Sequence, residues 1–240
     1  MNKIYLLNLK RRPAKLITVK KELIKHNLLK KTEIIYGVDG LELDKMDLIQ
    51  KNIIHQNFKN FTWNAGTLGS IGNYLSFVKI FEKVKENSLI LEDDVYFHHD
   101  FQKLFHDLLY YINSQKLEWD VIYFGISNVT IKKNMSKWSL VAQFNDIYKI
   151  YDPSKTSITN NGDLYGMFGL YITPKAAKIW LDGCFPMKQA SDSRLGSLIT
   201  GKTHTIDFPT LFQKKKKKLK ALVIYPPIIN YTNYISDTSL

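Results

Sequence analysis

Short apolar runs alternate with longer amphipathic stretches along most of this chain, and the alternation restricts the folds that it can adopt. The nearly continuous run Ile4–Leu9, which contains Asn8 near its end, predicts a buried parallel strand whose carboxyl end meets a site. Pro13 can open a helix, because apolar residues follow it at near-helical spacing. Residues 34–38 predict a second strand, closed by a turn at Asp39-Gly40. Strand, helix and strand in this order begin a β-α-β unit.

The same pattern continues further along the chain. Predicted elements are a helix capped by Thr67 (68–84), a strand (88–91), a helix (101–111), a strand (119–124), irregular strands with a mobile loop (132–162), a strand (165–172) and a helix opened by Thr173-Pro174 and ending at Leu181. We therefore predict an α/β protein with a Rossmann-like, mainly parallel, doubly wound sheet flanked by helices. Such sheets bind ligands beyond the carboxyl ends of their strands.

The length of 240 residues predicts one large domain rather than two. We place this domain at residues 1–211, followed by a basic C-terminal extension over residues 212–240. The extension contains five consecutive lysines, Lys214–Lys218. This run fits a solvated loop, and it also fits a peripheral contact with anionic lipid headgroups.

The net charge of +12 does not by itself indicate a nucleic-acid partner. Only three of the 34 basic residues are arginine, the residue that nucleic-acid readers favour, so we expect no nucleic acid. The single cysteine, Cys184, excludes an intrachain disulfide and favours a reducing compartment. The N-terminus has no signal-peptide pattern and no apolar run is long enough to cross a membrane. These features predict a cytoplasmic protein. If the lysine run contacts lipid headgroups, the protein would be peripheral to the inner face of the membrane.

Three consecutive carboxylates, Glu92, Asp93 and Asp94, directly follow the buried strand at 88–91. Their charges are costly there unless a cation meets them, and Mg²⁺ or Mn²⁺ prefers such oxygen ligands. In an extended segment Glu92 and Asp94 would face the metal and a ribose, and Asp93 would anchor the loop on the other side. A simpler interpretation also holds at this point: the acids cap the next helix or pair with surface lysines.

Other candidate groups have simpler interpretations. His98, His99 and Asp100, with His106 nearby, resemble a metal cluster, but neighbouring side chains on an extended segment diverge, so we interpret them as polar loop or helix-start residues. Trp63 lies in a polar segment and is the best candidate for stacking on a sugar or a base.

Seven segments, in order along nearly the whole chain, resemble glycosyltransferase family 25. They are Asn8-Leu9-Lys10-Arg11-Arg12, Tyr36-Gly37-Val38-Asp39-Gly40, residues 67–76 (TLGSIGNYLS), residues 89–94 (LILEDD), residues 166–172 (GMFGLYI), Asp192-Ser193-Arg194-Leu195, and Tyr225-Pro226-Pro227 with Ser236-Asp237. Two positions depart from the family pattern, because Ser70 replaces a common Glu and Phe77 replaces a His. These departures bear on substrate choice and on activity if the two side chains reach a ligand.

The resemblance implies a glycosyltransferase A-type fold and a metal-dependent, inverting transfer. The donor would be UDP-galactose or UDP-glucose, the cofactor Mn²⁺ or Mg²⁺, and the acceptor a hydroxyl of a saccharide, as in lipopolysaccharide biosynthesis. Three alternatives stay open: glycosylation of hydroxylysine on a collagen-like protein, a degenerate, non-catalytic module that binds a membrane or a partner, and a phosphate-processing metalloenzyme, a class that also uses clustered carboxylates on an α/β sheet.

The resemblance also assigns roles to individual residues. Asp192 would be the general base, and Glu92 with Asp94 would hold the metal. The remaining donor contacts would come from Asn8, Arg11, Asp93 and Arg194.

Overall fold

The computed structural model describes residues 1, 3–59, 65–126, 131, 135–153, 168–182, 184–189 and 219–232. Its strands are β1 (Lys3–Asn8), β2 (Thr32–Tyr36), β3 (Ile54–Lys59), β4 (Ser88–Leu91), β5 (Val95–Phe97), β6 (Val121–Gly125), β7 (Ser139–Phe144), β8 (Tyr148–Asp152), β9 (Gly169–Ile172), β10 (Met187–Gln189), β11 (Ala221–Tyr225) and β12 (Ile229–Tyr231). Its helices are α1 (Pro13–Lys25), α2 (Lys45–Gln50), α3 (Ala65–Phe81), α4 (Phe101–Ser114) and α5 (Pro174–Leu181).

Eight strands form one central sheet in the order β2-β1-β4-β9-β6-β11-β8-β7. Six of them run in one direction, and β9 and β8 run in the other. The described residues also form two small ribbons: β10 pairs with β3 in parallel, and β12 pairs with β5 antiparallel. The predicted α/β class, with a large sheet flanked by helices, is confirmed.

Side chains that alternate along the central strands build a separate core on each face of the sheet. In β1, Tyr5 and Leu7 join the core on one face, while Ile4 and Leu6 join the core on the other. Helices α3 and α5 cover the first face, and α1 and α4 cover the second. Both faces are therefore apolar, which explains why the strand sequences are continuous apolar runs.

Most of the predicted elements are confirmed, with corrections at their ends. Helix α1 begins at Pro13 as expected, and α5 begins after Thr173, whose hydroxyl accepts a hydrogen bond from the Ala176 N–H at 3.1 Å. The predicted cap at Thr67 is wrong, because α3 already begins at Ala65. Within the predicted irregular region, β7 and β8 form an antiparallel hairpin whose register shifts between Leu140 and Ala142, so the expectation of irregular strands agrees with this part of the structure.

The predicted C-terminal extension contains strands of the central structure. Strand β11 lies between β6 and β8, and β12 pairs with β5 directly after the acidic triplet. Residues 219–232 therefore belong to the same sheet system as the N-terminal strands. None of the helices in the described part of the chain has the length and apolar composition of a membrane span.

Candidate functional site

The acidic triplet lies at a switch point of the sheet, where successive strands are added on opposite sides of β1. From β1 the chain passes to β2 on one side, and it later returns to β4 on the other side of β1, with all three strands parallel. Ligands of open α/β sheets bind beyond the carboxyl ends of strands at such a switch point. Asn8 ends β1, and residues 92–94 follow β4, so both meet at this crevice.

The chain turns at Asp93 and Asp94, directly after Glu92, instead of staying extended as the alternation argument assumed; residues 92–94 are called the acidic turn below. Asp93 and Asp94 consequently do not point in opposite directions. The amino group of Lys15 lies 3.6 Å from Asp93 Oδ1 and 3.4 Å from Asp94 Oδ2. The predicted separation of roles by alternating direction is therefore wrong, and the simpler interpretation that these acids meet a lysine is realised in part.

Asn8, at the end of β1, anchors the acidic turn. Its side-chain amide donates hydrogen bonds to Asp93 Oδ2 at 2.7 Å and to the Arg12 carbonyl oxygen at 3.3 Å. Asn8 is 1% exposed, and its buried Oδ1 accepts no hydrogen bond within the described residues. The expectation that Asp93 anchors the loop agrees with this contact. A direct contact between Asn8 and a nucleotide stays a prediction.

Burial and the mutual repulsion of the carboxylates raise the pKa values of Glu92 and Asp93. Burial, with the charges of Asp94 and Asp93, raises the pKa of Glu92 from 4.5 to about 8, and Lys15 opposes this rise. Burial also raises the pKa of Asp93, against the lowering effect of Lys15 and of the Asn8 hydrogen bond. One ammonium therefore does not balance the three carboxylates.

This excess of negative charge is the feature that fits a divalent cation. Mg²⁺ and Mn²⁺ are commonly held by one or two carboxylates together with phosphate oxygens of a substrate, and the acidic turn offers such oxygens. Asp93 and Asp94 are 14% and 20% exposed, so solvent and ligands reach them. The donor set is therefore compatible with the predicted metal.

Two loops beside the acidic turn are joined by an ion pair. Arg11 Nε donates to Asp39 Oδ2, while Asp39 Oδ1 accepts the Leu41 N–H at 3.1 Å. Arg11 thus has a structural partner in the second family-like segment, and its predicted role in the nucleotide pocket stays a prediction.

The second and third family-like segments pack backbone against backbone. A Cβ atom on Gly40 would lie 2.3 Å from the Leu68 carbonyl oxygen, and one on Gly72 would lie 2.7 Å from the Val38 carbonyl oxygen. The Ser76 hydroxyl, 1% exposed, accepts the Val38 N–H at 2.8 Å and donates to the Gly72 carbonyl at 2.7 Å. The glycines and the serine of these segments therefore hold α3 against the loop that carries Asp39.

A C-terminal strand fixes the far end of the acidic turn. The Thr232 N–H and hydroxyl both donate to the Asp94 carbonyl oxygen, at 2.8 and 3.2 Å. Strand β12 pairs Tyr231 with Val95 immediately after the turn. The sequence reasoning missed Thr232, because no local pattern links positions so far apart in the chain.

Lys15 was also missed by the sequence reasoning, although a signal existed. It lies in the first turn of α1, where the helix dipole disfavours a cation, so a lysine at this position indicates an acidic neighbour.

The His98, His99 and Asp100 group is more compact than expected. Its ligand atoms lie within 4.8 Å of one another, so the argument that these side chains diverge is wrong. The chain turns here into α4, and His98 Nδ1 accepts the Asp100 N–H at 3.2 Å. The interpretation of these residues as helix-start residues agrees with this bond.

Several predicted site residues lie outside the described residues. They are Trp63, Asp192, Arg194 and Lys214–Lys218. Their roles stay predictions.

Comparison with known proteins identifies the family. A family model described as "Glycosyltransferase family 25 (LPS biosynthesis protein)" matches residues 1–194. Procollagen galactosyltransferase 2 of Homo sapiens is 29% identical over 138 residues, which cover 55% of this chain and 22% of that protein. Probable inactive glycosyltransferase 25 family member 3 of Rattus norvegicus is 26% identical over 141 residues, which cover 56% of this chain and 24% of that protein.

The chain spans about a quarter of the length of these relatives or less. A solved structure of UDP-glucose pyrophosphorylase complexed with UDP-glucose aligns with 97% of this chain and 90% of its own, at 14% identity and a TM-score of 0.37, a likeness too distant to support an argument. The family model, in contrast, matches well over half of the chain and includes β1, β4 and the acidic turn. The chain therefore belongs to glycosyltransferase family 25.

Proposed function

We propose that this chain transfers a hexose, galactose or glucose, from a UDP-linked donor to a hydroxyl group of a saccharide, and that the transfer depends on Mn²⁺ or Mg²⁺ and inverts the anomeric centre. The position of the acidic turn supports this most strongly, because its three carboxylates lie at the switch point of the sheet beside the carboxyl end of β1. The family description, which names LPS biosynthesis, favours a saccharide acceptor.

In the proposed mechanism, Glu92 and Asp94 would hold the metal, and Asp93 would assist in binding the nucleotide or the sugar. The bound cation would supply positive charge that stabilises the departing nucleoside diphosphate. Asn8 keeps the acidic turn in place through its bond to Asp93. Arg11, which pairs with Asp39 in the neighbouring loop, would line the nucleotide pocket and help to orient the donor.

The acceptor side of the mechanism rests on the late acidic segment. Asp192 would take the proton of the acceptor hydroxyl as that oxygen attacks the anomeric carbon, and the electron pair of the breaking bond would pass to the diphosphate. Arg194, two residues later, would bind the donor through its guanidinium group.

The experiment is a donor and acceptor screen with the purified chain. UDP-galactose and UDP-glucose are each supplied with Mn²⁺ or with a chelator, in the presence of saccharide acceptors or hydroxylysine peptides, and the products are identified by mass spectrometry. We expect transfer from one UDP-hexose, only with metal. Metal-independent transfer would contradict the assignment of the acidic turn, and transfer to hydroxylysine alone would favour the collagen-like alternative, which the names of the relatives support.

A non-catalytic module is the second candidate, because one relative is described as probably inactive. It would dock on a partner or on the inner face of the membrane, through the lysine run in the basic extension. In the same screen this candidate predicts no turnover with any donor. Binding of the wild-type chain to anionic vesicles at low salt, lost when Lys214–Lys218 are replaced by Gln, would then support it.

A further inference from the structure

Lys15 is placed to serve the reaction as well as the fold. Its amino group lies within 4 Å of carboxylate oxygens of both Asp93 and Asp94, and its side chain is 19% exposed. It lies in the first turn of the 13-residue helix α1, which starts beside the carboxyl end of β1. A lysine at this end of a helix is opposed by the helix dipole, so the acidic turn must offset an unfavourable interaction as well as hold the ammonium in place.

A metal held by Glu92 and Asp94 would share the Asp94 carboxylate with Lys15. In the structure the ammonium lies beside Asp93 Oδ1 and Asp94 Oδ2, and carboxylate oxygens are also the ligands that a divalent cation takes. A cation of charge +2 at Asp94 would repel the ammonium. The four-carbon stem of lysine is flexible enough to move the charge to a nearby anion without moving the helix.

The donor of the proposed reaction would supply that anion. A nucleotide sugar held at the acidic turn would bring its diphosphate close to the start of α1, where Lys15 lies. Lysine binds phosphate as a point charge, and it needs no fixed fork geometry to do so.

We propose that Lys15 is an exchangeable counter-ion, which neutralises the acidic turn in the metal-free protein and binds the diphosphate of the donor once the metal has entered. This role rests on the proposed function of the same site. During transfer the bond between the anomeric carbon and the diphosphate oxygen breaks, and its electron pair stays on that oxygen. The Lys15 ammonium would stabilise the added negative charge on the diphosphate, together with the metal.

The exchange predicts that removing the charge of Lys15 weakens the binding of UDP but not the binding of Mn²⁺. Lys15→Met keeps the unbranched shape and most of the length of the side chain but removes its charge. Affinity for Mn²⁺ alone, measured by calorimetry, should stay equal or rise by up to about tenfold, because a competitor is removed. Affinity for UDP in saturating Mn²⁺ should fall by about 10- to 100-fold, the loss expected for a charged hydrogen bond.

Two further variants make the result specific. Lys21→Met removes an exposed lysine from the same helix and should change neither affinity. Lys15→Arg keeps the charge and should retain most of the UDP affinity. Thermal unfolding of each variant, recorded without metal, establishes that the fold is intact.

Parallel losses of Mn²⁺ and UDP affinity in Lys15→Met would mean that Lys15 only organises the carboxylates, and would overturn the inference. Unchanged UDP affinity would overturn it as well. In both cases transfer by the wild-type chain would leave the proposed function standing. A wild-type chain that binds Mn²⁺ but no UDP would instead overturn the proposed function, and the inference with it.

Discussion

Replacing Glu92 by Gln should stabilise the metal-free protein at neutral pH. In the folded protein the pKa of Glu92 is raised to about 8, whereas its ordinary value, expected in the unfolded chain, is 4.5. Between these two values the folded chain therefore holds a proton that the unfolded chain releases. The unfolded state then binds fewer protons between these two values, and the free energy of unfolding falls as the pH rises from about 4.5 to about 8. Gln resembles the protonated form and carries no such penalty.

The size of the effect follows from the shift. Each unit of pKa difference corresponds to about 1.4 kcal/mol, so the penalty at pH 7 has an upper bound of about 3 kcal/mol. The partial exposure of Glu92 reduces this value, and we expect a gain of roughly 1–3 kcal/mol for the Gln variant. For a domain of this size that gain raises the Tm by about 2–12 °C.

The assay is thermal unfolding in a chelator at a series of pH values from 5 to 8.5. The pKa values of His26 and His106 are lowered, mainly by burial, and they make stability rise with pH over part of this range. The difference between wild type and Glu92→Gln cancels their contribution. The difference should be small at pH 5 and grow towards pH 8, whereas Glu82→Gln, an exposed control just after α3, should show no such growth. A constant difference across the range would refute the reasoning.

Three more substitutions test other parts of the site. Asp94→Asn should abolish Mn²⁺-dependent transfer with a Tm near or above that of wild type, and normal transfer would rule out Asp94 as a metal ligand. Asp192→Asn should lower turnover by roughly two to four orders of magnitude while calorimetry shows unchanged UDP affinity, and a collapse of that affinity would assign Asp192 to the donor site instead. Ser76→Ala should lower the free energy of unfolding by about 1–3 kcal/mol in denaturant titrations, because the Val38 N–H loses its acceptor, and an unchanged value would show that water replaces the hydroxyl.

The sequence predicted the elements that depend on local pattern. Continuous apolar runs located β1 and β4, and a proline located the start of α1, because these signals lie within a few residues of each other. The acidic turn was found for the same reason: three carboxylates directly after an apolar strand need a compensating charge wherever they occur.

Long-range pairing could not be predicted from these signals. Strand β9 runs antiparallel between β4 and β6, and β11 enters the sheet from a segment beyond a long lysine-rich stretch. A buried strand has the same apolar composition in either direction, so its sequence does not specify its partners. The bond from Thr232 to the Asp94 carbonyl depends on that pairing and was missed with it.

The predicted extended conformation of residues 92–94 was wrong for a different physical reason. Alternation of side chains holds only while the backbone stays extended, and β4 ends at Leu91. Beyond that point the turn brings Asp93 and Asp94 to a common cation, Lys15. The identity of the acidic residues was predictable from the sequence, whereas their mutual geometry depends on α1.

The two departures from the family pattern acquire different meanings once α3 is seen in place. Phe77, one of the two departures, is 2% exposed and packs against Phe81 in the core. The preceding residue, Ser76, bonds the backbone of the loop that carries Asp39. A buried imidazole at position 77 would need a polar partner, whereas the phenyl ring needs only apolar neighbours. Phe77 therefore belongs to the apolar core under α3. Ser70 is only partly buried, so its side chain is more accessible to a ligand than that of Phe77.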